Sequence, residues 1–287
     1  MTQSQEKGDQ AAIISAQLRE LDRDAYLASL VLPQQARMSV QTLFAFAAEL
    51  AAVRHRISEP MPGEIRLQFW HDALDGETHG DVESNPLAKA LFETIETRQL
   101  SKVPLLRMVA ARRFDLYQDP MPNQNQFEGY AGEVSSIVFQ YAAQICATES
   151  EEPEQFNDAS GHLGVAQTYT RALYSFEHDR RRAQVFLPLN VFEAFGLKDT
   201  DIFAGTEKDK IVQALNSCAE DARAHLDKAR KAMGTCPGAA KSAFALWPFV
   251  ESDLTNMQKA LEKGDWHAAK MSDWRKILKL IGWGLRK

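Results

Sequence analysis

Apolar residues recur at intervals of three and four along almost the whole chain, which is the spacing of one face of an α-helix. Alternating runs of β-branched residues, which mark half-buried strands, are scarce. The pattern therefore predicts an all-α protein. We expect helices over residues 36–57, 64–77, 86–99, 103–117, 124–147, 158–182, 207–234, 239–263 and 272–286, with Pro or Gly near most junctions.

Two segments lie outside this set of long helices. Residues 1–21 are expected to form an N-terminal extension with a first helix, and 183–206 a surface loop with a short helical turn. Residues 22–287 are expected to form a single domain, because no internal repeat and no linker rich in Pro, Gly or Ser divides them. A core of this size is near the upper limit for one domain, which favours a bundle around a central cavity.

Charge and composition restrict the partners. The chain has 33 Lys and Arg against 39 Asp and Glu, a net charge of −6, which does not suit binding to a phosphate backbone and indicates no nucleic-acid partner.

The N-terminus has neither a secretory signal nor a mitochondrial presequence, and no apolar run approaches the about 20 residues of a membrane span. Cys146, Cys218 and Cys236 have no zinc-site spacing and are expected to be reduced thiols. We therefore expect a cytoplasmic protein whose membrane contact, if any, is peripheral.

The signature motifs of serine hydrolases, P-loop proteins, Rossmann folds and zincins are all absent from the sequence. The polar pattern with most information lies in the predicted helix 158–182. There Arg171, Ser175 and Asp179 follow each other at intervals of four and so share one face. A solvated helix face with a local Arg/Asp pair would produce the same pattern, so the stripe alone does not decide between a site and a surface.

Longer segments of the chain resemble the squalene/phytoene synthase family, helical enzymes that join two prenyl diphosphates head to head. The resemblance is carried by residues 23–30, 43–46, 62–74 (PGEIRLQFWHDAL), 85–91, 113–116, Tyr130 and 178–188. It runs in order from about residue 22 to 200, and more loosely to about 285. It implies a single-domain, isoprenoid-synthase-type helical bundle in which helices 36–57 and 158–182 face each other across a central cavity.

The same resemblance implies where catalytic residues would lie. Family enzymes hold Mg²⁺ with two aspartate clusters on facing helices, and the metal neutralises the diphosphate leaving groups. The first cluster resembles CRxxDDxxD, and its aspartate positions are occupied here by Ala51, Ala52 and His55. The second resembles NxxRDxxxD, and of its two aspartates Ser175 replaces the first while Asp179 remains. These positions predict no metal site.

Basic residues near the degenerate clusters suggest an anion site in place of a metal site. Arg54, Arg171, Tyr174, Asp179 and Arg182 are the candidates for contact with an anion or a substrate, since guanidinium groups pair well with phosphate or carboxylate. Glu49 and Glu177 lie two positions from aligned residues, so at about 100° per residue they point away from that face.

A third departure from the family pattern concerns the space beside the substrate tunnel. In the segment 130–139 the family usually has a small Ala-Gly pair followed by Gly, whereas this chain has Ser135, Ser136 and Phe139. A Phe at a Gly position is expected to narrow any tunnel.

Two functions from different classes follow from these observations. The first is a non-catalytic relative with a binding or assembly role, similar to the aspartate-poor branch that contains the mitochondrial complex I assembly factor. Its partner would be a respiratory-complex protein or an isoprenoid- or lipid-like ligand, and it would need no cofactor. The second is a divergent prenyltransferase acting on farnesyl or geranylgeranyl diphosphate, which would need Mg²⁺. We favour the first, because the framework motifs are present while most residues for chemistry are missing.

The C-terminal segment has the pattern of an amphipathic helix. Trp274, Ile277 and Ile281 belong to an apolar stripe that continues to Leu285, and Lys279 belongs to a basic surface that includes Arg275, Lys276, Arg286 and Lys287. Such a helix either lies on an anionic membrane surface, at the inner face of the membrane, or packs on the bundle with a solvated basic side.

Overall fold

The structure is a computed structural model that describes residues 3–76, 82–148 and 150–284, and no β-strand occurs among them. The prediction of an all-α fold is therefore confirmed. The α-helices are α1 (Gln3–Leu21), α2 (Arg23–Ser29), α3 (Gln34–Ala52), α4 (Pro60–Asp75), α5 (Pro86–Thr97), α6 (Val103–Ala111), α7 (Gln124–Ala131), α8 (Ile137–Cys146), α9 (Glu154–Arg180), α10 (Leu189–Ala194), α11 (Asp199–Ala204), α12 (Lys208–Met233), α13 (Gly238–Lys241), α14 (Trp247–Leu261) and α15 (Asp273–Gly284). Short 3-10 segments cover Val53–His55, Val82–Ser84, Arg112–Leu116 and Ser242–Phe244.

The helix ends follow local chemistry. The Asn85 side chain accepts hydrogen bonds from the backbone N–H groups of Leu87 and Ala88 at 3.0 and 3.1 Å, and so caps α5. Helix α4 begins earlier than predicted, at Pro60, because proline is well suited to the first turn of a helix. It ends at Gly76, whose φ of 94° is accessible to glycine at little cost.

The predicted helix 124–147 is interrupted by a π-helical turn, Gly132–Ser136. This turn packs against the middle of α9 at Gly164. A Cβ atom placed on Gly164 would lie 2.4 Å from the Cα atom of Ser136, so the two backbones can approach this closely only because Gly164 has no side chain. The Ser136 hydroxyl donates a hydrogen bond to the carbonyl oxygen of Gly161 at 2.9 Å.

The prediction of a surface loop over 183–206 is wrong. This segment contains α10 and α11, and its apolar side chains Leu187, Phe192, Leu197 and Ile202 are buried. Helices of six residues are too short to produce a clear three- and four-residue periodicity, so the sequence pattern does not reveal them.

Helix α9 is the central element of the bundle and packs against α8, α12, α14 and the π-helical turn. The buried side chains form one hydrophobic cluster, to which α1 contributes the fully buried Ile14 and Leu18. The first helix is therefore packed into the same core as the helices that follow it.

Candidate functional site

Helices α3 and α9 face each other across a cavity of about 160 Å³. Ala51, Arg54 and His55 line this cavity from the end of α3 and the 3-10 segment after it, and Arg171 and Ser175 line it from α9. The positions that the sequence resemblance aligned with the two aspartate clusters thus meet across one cavity, which we call the inter-helix cavity.

A buried ion pair joins the two sides of the inter-helix cavity. Arg54 Nη2 donates to Asp179 Oδ1, and the two side chains are only 14% and 2% exposed. The Ser175 hydroxyl donates to the other carboxylate oxygen of Asp179 at 2.5 Å. The guanidinium of Arg54 also lies over the ring of Phe186, 4.0 Å from its centroid. Both oxygens of the one aspartate that remains from the family pattern are therefore occupied by protein donors.

His55 takes the last aligned position of the first cluster and lies beside this ion pair. Burial lowers its pKa below the usual 6.5, and the positive charge of Arg54 lowers it further. Its ring is 6.0 Å from the ring of His178, centroid to centroid. The imidazole of His55 is therefore neutral at pH 7. Within the described residues, no group of three or more His, Cys, Asp or Glu side chains has the geometry to hold a metal ion.

A second buried polar cluster borders the inter-helix cavity through Arg112 and Tyr130. Arg112 Nη1 donates to Asp115 Oδ2 and to the Tyr130 hydroxyl, each at 3.0 Å, and Tyr130 donates to Asp115 Oδ1 at 2.6 Å. Burial raises the pKa of Tyr130 far above its usual value of 10, so the phenol remains protonated. In the sequence pattern Asp115 and Tyr130 belong only to the framework motifs, and Arg112 is not among the candidate residues. The i, i+3 spacing of Arg112 and Asp115 was the available signal.

Aromatic side chains also line or pack near the inter-helix cavity. Phe127 lines it, and the centroid of its ring is 4.1 Å from that of Tyr169. Phe139 does not line this cavity; it is 1% exposed, and its ring centroid is 6.4 Å from that of Phe244. Pockets for small-molecule ligands usually measure about 300–1,000 Å³, so the inter-helix cavity is too small for a prenyl diphosphate as it stands.

A wider cavity of about 560 Å³ lies on the other side of Arg54. Arg54 and Arg182 supply its positive charge, and Glu59 and Asp115 its negative charge. Arg54 lines both cavities, whereas Arg182 lines only the wider one. The two arginines therefore meet at the opening of the wider cavity.

The remaining candidates have other contacts. Arg171 forms an ion pair with Asp22 at 2.5 Å, so its charge is directed toward the α1–α2 junction. Tyr174 lines neither of the two cavities, and its hydroxyl donates to the backbone carbonyls of Asp253 and Ala269 at 3.0 and 3.3 Å. Ala52 follows Ala51 but does not line the inter-helix cavity.

The two glutamates near the clusters have partners elsewhere. Glu49 pairs with Arg56 at 2.8 Å, and Glu177 pairs with Arg180 and Arg181, each at 2.7 Å. Neither glutamate lines the inter-helix cavity.

The C-terminal helix α15 presents its apolar stripe to solvent. Trp274, Ile277, Leu278 and Ile281 are 60%, 46%, 58% and 55% exposed. Lys276, which the sequence analysis assigned to the basic surface, is buried and bonds to Asp24 at 2.5 Å. The assignment of Lys276 is therefore wrong, because the acidic Asp24 on α2 draws it to the side that faces the bundle. Leu285, Arg286 and Lys287 lie outside the described residues.

No helix in the described part of the chain has both the length and the apolarity to cross a bilayer.

A family model described as squalene/phytoene synthase matches residues 18–275. Among curated proteins, the chain is 28% identical over 242 residues to the human "NADH dehydrogenase (ubiquinone) complex I, assembly factor 6", covering 84% of this chain and 72% of that protein. The corresponding protein of Dictyostelium discoideum is 24% identical over 245 residues, with 85% and 68% covered. A chloroplastic phytoene synthase 2 of Solanum lycopersicum is 28% identical over 191 residues, with 66% and 60% covered.

Solved structures show the same fold. A dehydrosqualene synthase in complex with ligand superposes with a TM-score of 0.79 at 18% identity, covering 98% of this chain and 97% of the other. A squalene synthase from Alicyclobacillus acidocaldarius superposes with a TM-score of 0.70 at 19% identity, covering 88% and 95%. The isoprenoid-synthase-type bundle expected from the sequence is thereby confirmed.

Proposed function

Since this chain belongs to the squalene/phytoene synthase family, we propose that it uses the family fold for binding, as an assembly factor for a respiratory complex, and does not join prenyl diphosphates. The observation that carries this proposal is the buried ion pair between Arg54 and Asp179. It places a fixed guanidinium between the two helices whose aligned positions bind Mg²⁺ in the family pattern.

Electrostatics argues against metal-dependent ionisation at this site. Mg²⁺ needs several oxygen ligands, and the aligned positions supply Ala51, Ala52, His55 and Ser175 instead of carboxylates. A metal ion at Asp179 would have to displace Arg54, and removal of one partner from a buried ion pair costs about 3–5 kcal/mol. Repulsion between the metal and the displaced guanidinium would add to that cost.

The names of the relatives support the assembly role. Complex I assembly factor 6 proteins of human and Dictyostelium discoideum match most of the chain, and the match to the phytoene synthase covers less of it. The proposed partner is therefore a protein of a respiratory complex. The opening lined by Arg54 and Arg182 is the proposed place for an anionic, isoprenoid- or lipid-like ligand, with its charged group at Arg182, because Asp179 already neutralises Arg54.

The alternative is a divergent prenyltransferase, and an activity assay separates the two. Purified protein is incubated with Mg²⁺, NADPH and farnesyl or geranylgeranyl diphosphate, and the lipid extract is searched for squalene, phytoene and cyclopropyl diphosphate intermediates. We expect no product, while an active squalene synthase in parallel gives product. Turnover that Asp179→Ala abolishes would refute the non-catalytic proposal.

A genetic test addresses the assembly role. In a host that requires this protein for its respiratory complex, the double variant Arg54→Met/Asp179→Asn should restore the assembled complex as well as the wild type does, because the role needs no charge at this site. Native gels of the membrane fraction measure the assembled complex. Failure of a stably folded double variant would indicate that the site has a chemical role.

We further infer that α15 holds the protein on the cytoplasmic face of the membrane. Its exposed apolar stripe would enter the interface, and Arg275 and Lys279 would meet anionic lipid, which is concentrated in that leaflet. Flotation with anionic liposomes tests this. The variant Ile277→Glu/Ile281→Glu should stay in the soluble fraction.

A matched control uses an exposed apolar pair with the same spacing on α4. Met61 and Ile65 are 69% and 65% exposed, so Met61→Glu/Ile65→Glu makes an equal change of charge on another helix. The match is in charge and spacing, and the α4 pair is the more exposed of the two, so the control removes at least as much exposed apolar surface. This control should float like the wild type. Equal loss of flotation in both variants would mean that net charge, and not α15, governs the binding.

A further inference from the structure

A third cavity, of about 460 Å³, lies beside α15 and away from the inter-helix cavity. It is bounded by the end of α12, by α13, by the start of α14 and by one side of α15. We call it the C-terminal pocket. Its volume falls within the about 300–1,000 Å³ that is usual for small-molecule sites.

The C-terminal pocket has a basic rim. Arg230, Lys241 and Lys279 line it, and among its lining residues the one acid is Glu251, whose carboxylate is 4.0 Å from Lys279 Nζ. Arg230 is 3.7 Å from Asp227, a distance at which two exposed side chains attract each other only weakly. The rim therefore carries an excess of positive charge, which favours an anionic ligand.

The base of the C-terminal pocket is aromatic. The rings of Trp247 and Trp283 are stacked, with centroids 6.4 Å apart and an interplanar angle of 26°. No described residue accepts a hydrogen bond from the buried Trp283 Nε1. A pocket with a basic rim and an indole base matches an amphiphile that has an anionic head and an apolar body.

The C-terminal pocket adjoins the exposed apolar stripe of α15. At about 100° per residue, Trp274, Ile277 and Ile281 centre on one side of the helix, and Lys279, Gly282 and Trp283 lie on the side that lines the pocket. Arg275 falls at the same angles as these pocket residues. The stripe and the pocket meet at Leu278 and Gly282, which are four residues apart. When the stripe rests in a bilayer, the Gly282 edge of the pocket is therefore the part nearest to the lipid phosphates.

We propose that the C-terminal pocket binds the headgroup of an anionic phospholipid in the bilayer on which α15 lies. This inference rests on the membrane contact proposed above and adds a defined lipid site to it. The supporting observations are the excess of positive charge at the rim and the continuity of the pocket with the apolar stripe.

The test separates the pocket from the stripe by using a soluble lipid. Dihexanoyl phosphatidylglycerol, kept below its micelle concentration, is titrated into the full chain in a calorimeter, with dihexanoyl phosphatidylcholine and inorganic phosphate as separate arms. We expect saturable binding of the glycerol lipid and weaker binding of both the choline lipid and inorganic phosphate, because phosphate alone makes no contact with the indole base.

Charge removal at the rim provides the variants. Each basic residue near an anionic lipid contributes about 1 kcal/mol, a factor of about five in affinity. Lys241→Gln should therefore weaken binding of the glycerol lipid about fivefold, and Arg230→Gln/Lys241→Gln about 25-fold. Lys263→Gln is the matched control, because Lys263 is exposed and does not line the pocket, and it should bind like the wild type.

Each remaining result has a definite meaning. The proposal would be overturned by equal affinity for the two lipids, by an equal loss of affinity in Lys241→Gln and Lys263→Gln, or by inorganic phosphate binding as tightly as the glycerol lipid. Capture of a respiratory subunit that depends on Lys241, without any effect of Lys241→Gln on lipid binding, would overturn it in favour of a protein contact. Ile277→Glu/Ile281→Glu should bind the soluble lipid like the wild type, because neither residue lines the pocket. If the wild-type protein does not float with anionic liposomes but still binds the soluble lipid, the membrane contact is refuted and the pocket is not.

Discussion

Asp179 is only 2% exposed, so its carboxylate has little access to water when Arg54 is removed. Arg54→Met should therefore lower the free energy of unfolding by about 3–5 kcal/mol, because it leaves the carboxylate uncompensated. The double variant Arg54→Met/Asp179→Asn should recover most of that loss. Urea denaturation of the two single variants, the double variant and the wild type gives the coupling energy. Additive losses would mean that the pair contributes no specific interaction.

A histidine pair between α9 and α12 makes stability depend on pH. His162 Nδ1 and His225 Nδ1 are 3.1 Å apart. Burial lowers the pKa of both histidines below the usual 6.5. Glu128, whose carboxylate is 3.4 Å from His225 Nε2, partly opposes this lowering for His225. The unfolded chain therefore binds more protons than the folded chain once the pH falls below about 6.5, and folding stability falls with it. Above pH 7 both rings are neutral in both states and the pair has no pH-dependent effect.

Removal of one ring should reduce this acid sensitivity. His162→Gln should lose less free energy of unfolding than the wild type when the pH is lowered from 7.5 to 5.5, since one unfavourable protonation is gone. Urea titrations at the two pH values measure the difference. The same acid-induced loss in both proteins would show that other groups determine the pH dependence.

At the scale of single residues, the sequence located the site better than it described the contacts in it. The family pattern placed Arg54, His55, Ser175 and Asp179 near one another, and they are near one another. The pairing of Arg54 with Asp179 joins residues 125 apart in sequence, and no local spacing encodes it. Tyr174 was also a candidate, but its hydroxyl donates to the backbone carbonyl of Asp253.

The crossing of α9 with the π-helical turn allows a test on two glycines of one helix. Gly164→Ala should destabilise the protein by about 1–3 kcal/mol, because the new methyl group would clash with the Ser136 backbone and the helices would have to separate. Gly161→Ala, three residues earlier, should stabilise it by about 0.5–1 kcal/mol, because no atom lies within 4 Å and alanine favours the helix. Thermal melts followed by circular dichroism compare the two variants. Opposite signs are expected, and a neutral Gly164→Ala would mean that this crossing is loosely packed.

At the scale of elements, the length of a helix determined whether the sequence pattern could predict it. The 27 residues of α9 and the 26 of α12 give a strong periodic signal. The π-helical turn covers only five residues, too few to give a periodic signal of their own. The orientation of α15 was not predictable either. Periodicity shows that a helix has two sides, but the contact of Lys276 with Asp24 determines which side faces the bundle.

At the scale of the whole molecule, α1 tests how far the core is cooperative. Leu18 is fully buried in the same hydrophobic cluster as the central helices. Leu18→Ala should lower the free energy of unfolding by about 2–5 kcal/mol and shift the entire transition. Tryptophan fluorescence and circular dichroism should report the same midpoint, because each of the five tryptophans lies outside α1. A separate early transition seen only by circular dichroism would mean that residues 1–21 unfold as an independent unit.

The ion pair between Arg54 and Asp179 also bears on how reversible the loss of the aspartate clusters is. Replacement of Arg54 alone leaves a buried carboxylate without a partner, and a new aspartate at Ala51 or Ser175 would first be neutralised by Arg54 and so attract no metal. Each single step back toward a metal site is therefore either destabilising or without functional benefit. Selection acting on one substitution at a time would therefore not restore the aspartate clusters while Arg54 is present.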